Sequence, residues 1–158
     1  RGTRVSLFLP RARGGRQRPQ AGEAKPEGGQ FHDRAVLLVE DEPKLRRVAA
    51  KMLSRLGLTI LQAESAEDAL ALLQDCQVDH PVDLLFTDIE LPGGMSGAEL
   101  ADRARELVPS IKIMFTTGYA RDAVLSDPSK KDMPWLLKPY SQSALTRQLT
   151  MLLGPAAD

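Results

Sequence analysis

The chain has 158 residues, 42% hydrophobic and 27% charged, with 21 Lys/Arg balanced by 21 Asp/Glu. That length suits one domain with some extra chain, and the composition is that of an ordinary globular protein. No apolar run approaches the roughly 20 residues of a membrane span, the first residues are too basic and too broken by Pro and Gly for a secretory signal, and a single cysteine, Cys76, excludes an internal disulfide and fits a reducing, cytoplasmic setting.

Charge is unevenly spread. Residues 1–33 carry seven Lys/Arg against three Asp/Glu, and residues 34–158 carry 14 against 18. The basic segment lacks interleaved aromatics, so it reads as solvated chain rather than a nucleic-acid site. In "GTRVSLFLP" (2–10), Val5, Leu7 and Leu9 alternate with Arg4, Ser6 and Phe8, a half-buried strand pattern with no sheet nearby to join. Residues 10–30, "PRARGGRQRPQAGEAKPEGGQ", hold almost no large apolar side chain and cannot offset their ordering entropy. The expected organisation is a remnant of another unit over 1–9, a flexible linker over 10–33, a folded domain over 34–154 and a tail over 155–158.

From Ala35 the rhythm changes. "AVLLV" (35–39) reads as a strand buried on both faces. Residues 43–57 open on Pro43, end on Gly57 and place Leu45, Val48, Ala49, Met52, Leu53 and Leu56 at helical spacing. A strand over 58–63 and a helix over 65–76 follow, the helix opening with Ser65 and Asp68 at capping-box spacing. Then come a strand (82–87), a helix (96–108), a strand (111–117), a short helix (120–126), a strand (135–138) and a helix (141–154) closed by Gly154 and Pro155. Strands alternating with helices predict a doubly wound α/β fold: a five-stranded parallel sheet of order 2-1-3-4-5, built by right-handed crossovers and flanked by five helices.

In such sheets ligands bind beyond the carboxyl ends of the strands. The first strand is followed by Glu40, Asp41 and Glu42, the third by Asp88, the fourth by Gly118 after Thr116 and Thr117, and the fifth by Lys138 and Pro139. Glu40, Asp41 and Asp88 are thus expected to crowd one rim. Like charges there raise one another's pKa, and a hard divalent cation such as Mg²⁺ relieves them. With a lysine and a threonine hydroxyl at the same rim, the set suits a phosphoryl group, whose transfer needs mostly charge neutralisation and positioning. An aspartate can be the nucleophile and become an acyl phosphate. Each residue also has a plainer reading. Asp88 can mark a turn, Glu40 and Glu42 can complement a helix dipole, Lys138 can be a surface lysine, and Thr116 and Thr117 can be ordinary strand residues. Four separate strand ends carry complementary chemistry, and together they outweigh the plainer readings.

"VLLVEDEP", "LLFTDIELPGGMSG", "MFTTGY" and "LLKPY" resemble the receiver domain of bacterial two-component response regulators, over about residues 34–154. The resemblance implies that Asp88 is the phosphoacceptor. It implies Asp41 as the direct Mg²⁺ ligand, with Mn²⁺ as a substitute, Glu40 as the holder of metal-bound water, and the Glu90 backbone carbonyl as a further ligand. It implies Thr117 as the switch hydroxyl, with Thr116 as the alternative register, and Lys138 as the phosphate-binding lysine before a cis Pro139. Trp135 falls where receivers often carry an aromatic that swings inward. Two features depart from the pattern. "DIELPGGMSG" is one residue longer than the usual loop, and Gly118 stands where many receivers have Ala. "GTRVSLFLP" resembles the closing end of a histidine kinase ATP-binding domain, which makes the chain resemble the C-terminal piece of a hybrid sensor histidine kinase. The parent can be membrane-anchored while this piece is cytoplasmic and touches no membrane or nucleic acid. Its implied partners are a histidine kinase or a histidine phosphotransfer domain.

Two other functions compete. A Mg²⁺-dependent phosphohydrolase of small metabolites, resembling haloacid dehalogenases, needs an acid two residues beyond Asp41, where Pro43 stands. A receiver-like docking module that is never phosphorylated is the other.

Overall fold

A computed structural model describes residues 30–76, 81–118 and 133–154. In chain order these form β1 (Ala35–Val39), α1 (Pro43–Ser54), β2 (Thr59–Ala63), α2 (Ala66–Cys76), β3 (Leu84–Asp88), α3 (Gly97–Leu107), β4 (Lys112–Thr117), β5 (Trp135–Leu137) and α4 (Gln142–Leu153). The helix expected over 120–126, the strand pattern near residue 5, most of the linker and the tail lie outside the described residues.

The five strands are all parallel, in the order β2-β1-β3-β4-β5. The register sets Leu37 beside Leu61 on one side and Leu85 on the other, with Leu85 beside Ile113. Successive side chains point to opposite faces, and both faces are buried. Val36, Leu38, Leu84, Phe86 and Met114 pack under α1 and α4 through Ala49, Leu53, Leu145 and Leu149. Leu37, Val39, Leu85, Ile113 and Phe115 pack under α2 and α3 through Ala69, Leu73, Leu100 and Ala104. Burying each large side chain of this kind stabilises the fold by about 1.5–3 kcal/mol. That is why the central strands read as unbroken apolar runs.

Most element ends shift by one to three residues from the sequence expectation, and three of the differences have a visible physical cause or consequence. β3 begins at Leu84 rather than residue 82, because Asp83 serves as an entry clamp. Its carboxylate accepts the Ala35 N–H at 2.8 Å and the Arg34 guanidinium at 2.8 Å. β3 also runs one residue longer, through Asp88, whose Cα pairs with that of Thr116. Phe31, placed by sequence in the linker, is 1% exposed in the α1/α4 cluster, and its N–H donates to the Leu56 carbonyl at 2.9 Å. Phe31 therefore belongs to the packed unit.

Candidate functional site at the sheet rim

Glu40 is the first residue beyond β1 and Lys138 the first beyond β5, and Asp88 closes β3 between them. Backbone bonds carry the ladder to the rim: the Glu40 N–H reaches the Ala63 carbonyl, Ile89 reaches Thr116, and Lys138 reaches Thr117. The Lys138–Pro139 peptide is cis. From this base the Lys138 Nζ donates to Asp88 Oδ2 at 2.5 Å and to Glu40 Oε2 at 2.6 Å. The remaining Asp88 oxygen, Oδ1, accepts the Glu90 N–H at 3.1 Å.

Two carboxylates thus share one ammonium, and all three side chains are largely withdrawn from solvent. Burial pushes the Glu40 carboxyl up, and the bond to Lys138 does not fully reverse it, so its pKa is raised. Burial pulls the Lys138 ammonium down, but Asp88 and Glu40 outweigh that, and its pKa is raised. The lysine is held charged, while Glu40 keeps an unrelieved cost of ionisation.

Asp41 follows on the same turn, with its side chain exposed. Among the described residues no three His, Cys, Asp or Glu side chains stand close enough together to hold a metal ion. The rim brings Glu40 and Asp88 together through Lys138, rather than packing three carboxylates directly. Glu90 is exposed and meets Asp88 through its N–H. Thr116 and Thr117 are both buried. Thr116 pairs with Asp88, while Thr117 ends β4 one step further along and pairs with Leu137. Trp135 lies half-buried against Phe115, the rings stacked 4.8 Å apart. A Cβ at Gly118 would meet nothing within 4 Å.

Two contributors were not picked out from sequence. Gly97 opens α3 directly against the phosphoacceptor candidate: its N–H donates to the Ile89 carbonyl at 3.0 Å, and a Cβ there would stand 2.0 Å from the Asp88 carbonyl oxygen. The sequence signal was available in Ser96 and Glu99, which form a full capping box and fix where α3 starts. Arg46 reaches back from α1 to the Glu40 carbonyl at 2.5 Å, a contact that no periodicity announces. Tyr140, edge-on to Phe86, lies deep enough that burial pushes its phenol up to about 12.

Comparison with known proteins shows the family. The family model described as response regulator receiver domain matches residues 36–150. The chain is 36% identical over 119 residues to the response regulator receiver protein CpdR of Brucella abortus, covering 75% of this chain and 95% of CpdR. It is 31% identical to the sensor kinase CckA of the same organism, a match that covers 97% of this chain but only 17% of the kinase. The crystal structure of the response regulator TrrA from Thermotoga maritima, in complex with Mg²⁺-BeF, superposes with a TM-score of 0.65 at 30% identity, covering 75% of this chain and 98% of TrrA. The chain belongs to the response regulator receiver domain family of two-component signalling.

Proposed function

We propose that this chain is a phosphoacceptor module that takes a phosphoryl group from a phosphohistidine onto Asp88. The observation that carries the reading is the Lys138 ammonium seated between Asp88 and Glu40 at 2.5 and 2.6 Å. It orients the Asp88 carboxylate as the nucleophile and supplies positive charge where the transferred phosphoryl oxygens must sit. In the step, an Asp88 carboxylate oxygen bonds to phosphorus as the phosphorus–nitrogen bond breaks. The electron pair goes to the ring nitrogen, and the imidazole leaves neutral, its other nitrogen carrying the proton it already held. Water can later cleave the acyl phosphate, releasing inorganic phosphate and regenerating the carboxylate.

The donor set suits Mg²⁺, with Mn²⁺ as a substitute, because every donor is an oxygen. The carboxylates of Glu40, Asp41 and Asp88 and the Glu90 carbonyl would hold it. Glu40 supports this fit: its carboxyl is raised even beside Lys138, a residual cost that a second cation relieves. Bound there, the ion neutralises charge on the phosphoryl oxygens. Thr117 would donate its hydroxyl to the transferred group, drawing the end of β4 inward, and Trp135 would follow. A histidine kinase or histidine phosphotransfer domain is the donor. The CckA match extends beyond residues 36–150 to 97% of the chain, which supports a hybrid kinase parent with its kinase end over 1–9 and a linker before the receiver.

Incubation with Mg²⁺ and acetyl phosphate, followed by intact-mass measurement, tests this. One phosphoryl adduct, lost in base and on treatment with hydroxylamine as an acyl phosphate must be, is expected on the wild type and none on Asp88→Asn. An unmodified wild type, or an equally modified Asp88→Asn, overturns the assignment.

A further inference from the structure

The turn 40–42 carries two of the residues just described, yet the cap of α1 gives it little support. α1 opens on Glu42 with no side-chain cap and no acidic residue in its first turn. Within the turn the Glu42 N–H makes a long bond of 3.4 Å to Glu40 Oε1, and the further hold comes from Arg46, the fourth residue of the helix. The Arg46 Nη1 donates to the Glu40 carbonyl at 2.5 Å and leans on the Asp41 carbonyl at 3.4 Å. Its Nη2 faces Glu64 Oε2 at 3.7 Å, just past the end of β2. The Arg46 side chain is only 17% exposed, against 57% for Glu64. A planar, permanently charged fork is thus laid across the exit of β1, the start of α1 and the exit of β2.

We infer that Arg46 is a positioning residue for the cation at this rim, holding the Glu40–Asp41 backbone so that the Asp41 carboxylate is presented toward Asp88. The inference rests on the phosphoacceptor reading of the site. Lys138 grips Glu40 by its carboxylate, and Arg46 grips it by its carbonyl, so the two cations do different work. Lys138 balances charge, whereas Arg46 fixes the course of the backbone from which Asp41 projects. Asp41 is exposed, and the backbone is what aims it.

Charge and positioning predict opposite outcomes. If Arg46 acted only as a nearby positive charge, removing it would make the rim more negative and tighten Mg²⁺ binding. If it positions Asp41, removing it loosens the ligand and weakens binding. Mg²⁺ is titrated into the phosphoryl-free protein, with fluorescence from the single tryptophan, Trp135, as the readout. Arg46→Met is expected to bind Mg²⁺ about 10-fold more weakly than wild type, the scale of losing a group that orients a metal ligand. Arg46→Lys keeps the charge but not the fork and is expected to fall between, about 3-fold weaker. In the acetyl phosphate assay the half-saturating Mg²⁺ concentration should rise by the same factors, while the rate at saturating Mg²⁺ stays near wild type. A merely structural role would lower the melting temperature and leave these Mg²⁺ constants unmoved. Mg²⁺ affinity in Arg46→Met equal to or tighter than wild type overturns the inference. Where Arg46→Met does not fold, wild-type affinity in Arg46→Lys overturns it. A wild type that responds to Mg²⁺ and is phosphorylated on Asp88, beside an unaffected Arg46→Met, sinks the role of Arg46 alone. A wild type that does neither sinks the phosphoacceptor reading and this inference with it.

Discussion

Gly97→Ala tests how tightly α3 is joined to the backbone of Asp88. The added Cβ would stand 2.0 Å from the Asp88 carbonyl oxygen, 2.9 Å from Ile89 Cα and 3.0 Å from the Asp88 carbonyl carbon, where ordinary contact begins at 3.4 Å. Something must retreat by more than about 1 Å, and every atom met is backbone. That backbone is pinned on both sides. Ile89 N–H is bonded to the Thr116 carbonyl, Glu90 N–H to Asp88 Oδ1, and the Thr87 hydroxyl donates to the Asp88 carbonyl itself. Overpacking costs about 1–3 kcal/mol, and the strained Gly97–Ile89 bond about 1 kcal/mol more. Alanine's better helix propensity returns at most about 1 kcal/mol. The balance is a loss of about 1–3 kcal/mol, or roughly 5–15 °C in Tm for a domain of this size. The same displacement moves the Asp88 side chain, and a misplacement of about 1 Å can slow a reaction by about 10²-fold. Differential scanning calorimetry and the acetyl phosphate rate measure the two effects. Gly94→Ala is the control, since a Cβ there meets nothing within 4 Å, and it should match wild type. A Gly97→Ala protein with wild-type Tm and wild-type rate would refute the close approach.

Two further outcomes follow from the rim. Because burial raises the Glu40 carboxyl above its ordinary 4.5, its contribution to stability is present below that value and is lost as pH rises through the raised one. In Mg²⁺-free buffer the wild-type Tm should therefore decline over that interval above pH 4.5. Glu40→Gln should flatten the decline and melt higher at pH 7 while binding Mg²⁺ more weakly, and an unchanged Tm–pH profile counts against the buried, unrelieved carboxylate. For the two threonines, Thr117→Ala should slow phosphorylation about 10-fold, the scale of one hydrogen bond to a charged group. Thr116→Ala should keep the rate and lose only buried packing, and the reverse result would move the switch hydroxyl to Thr116.

The fold was legible because strands buried on both faces leave unbroken apolar runs, and crossover helices between them leave a different period. The strand-end acids and Lys138 were legible for a related reason. A polar residue that stops such a run falls at the rim, where these sheets bind ligands. The bonds themselves were not legible: Lys138 meets partners 50 and 98 positions away, and no local pattern encodes that distance. Asp83 looked like part of a strand because its clamp on Ala35 and Arg34 also spans nearly 50 residues. Phe31 was lost in its surroundings, a single core residue at the end of a polar, glycine-rich run. Glu40, in phase with Val36 and Leu38, turns to the face that Lys138 reaches, and Asp41 follows it exposed on the turn beyond the strand.

One lysine serving two carboxylates also decides where a chemical change at Asp88 is felt. Lys138 spans from β5 across to β1 and touches β3 between them. Under the proposed reaction Asp88 exchanges a carboxylate for an acyl phosphate that carries more negative charge, set further from the strand. The ammonium's strongest partner then moves outward, and Glu40 loses part of its share. Glu40 is the side chain least able to bear this, being buried with its carboxyl already raised. The strain falls on the turn that Arg46 holds, at the start of α1, and not only on the β4 end where Thr117 lies. Phosphorylation would thus be sensed at two places on the rim, and the α1 side would register it through lost charge compensation rather than through a gained hydrogen bond.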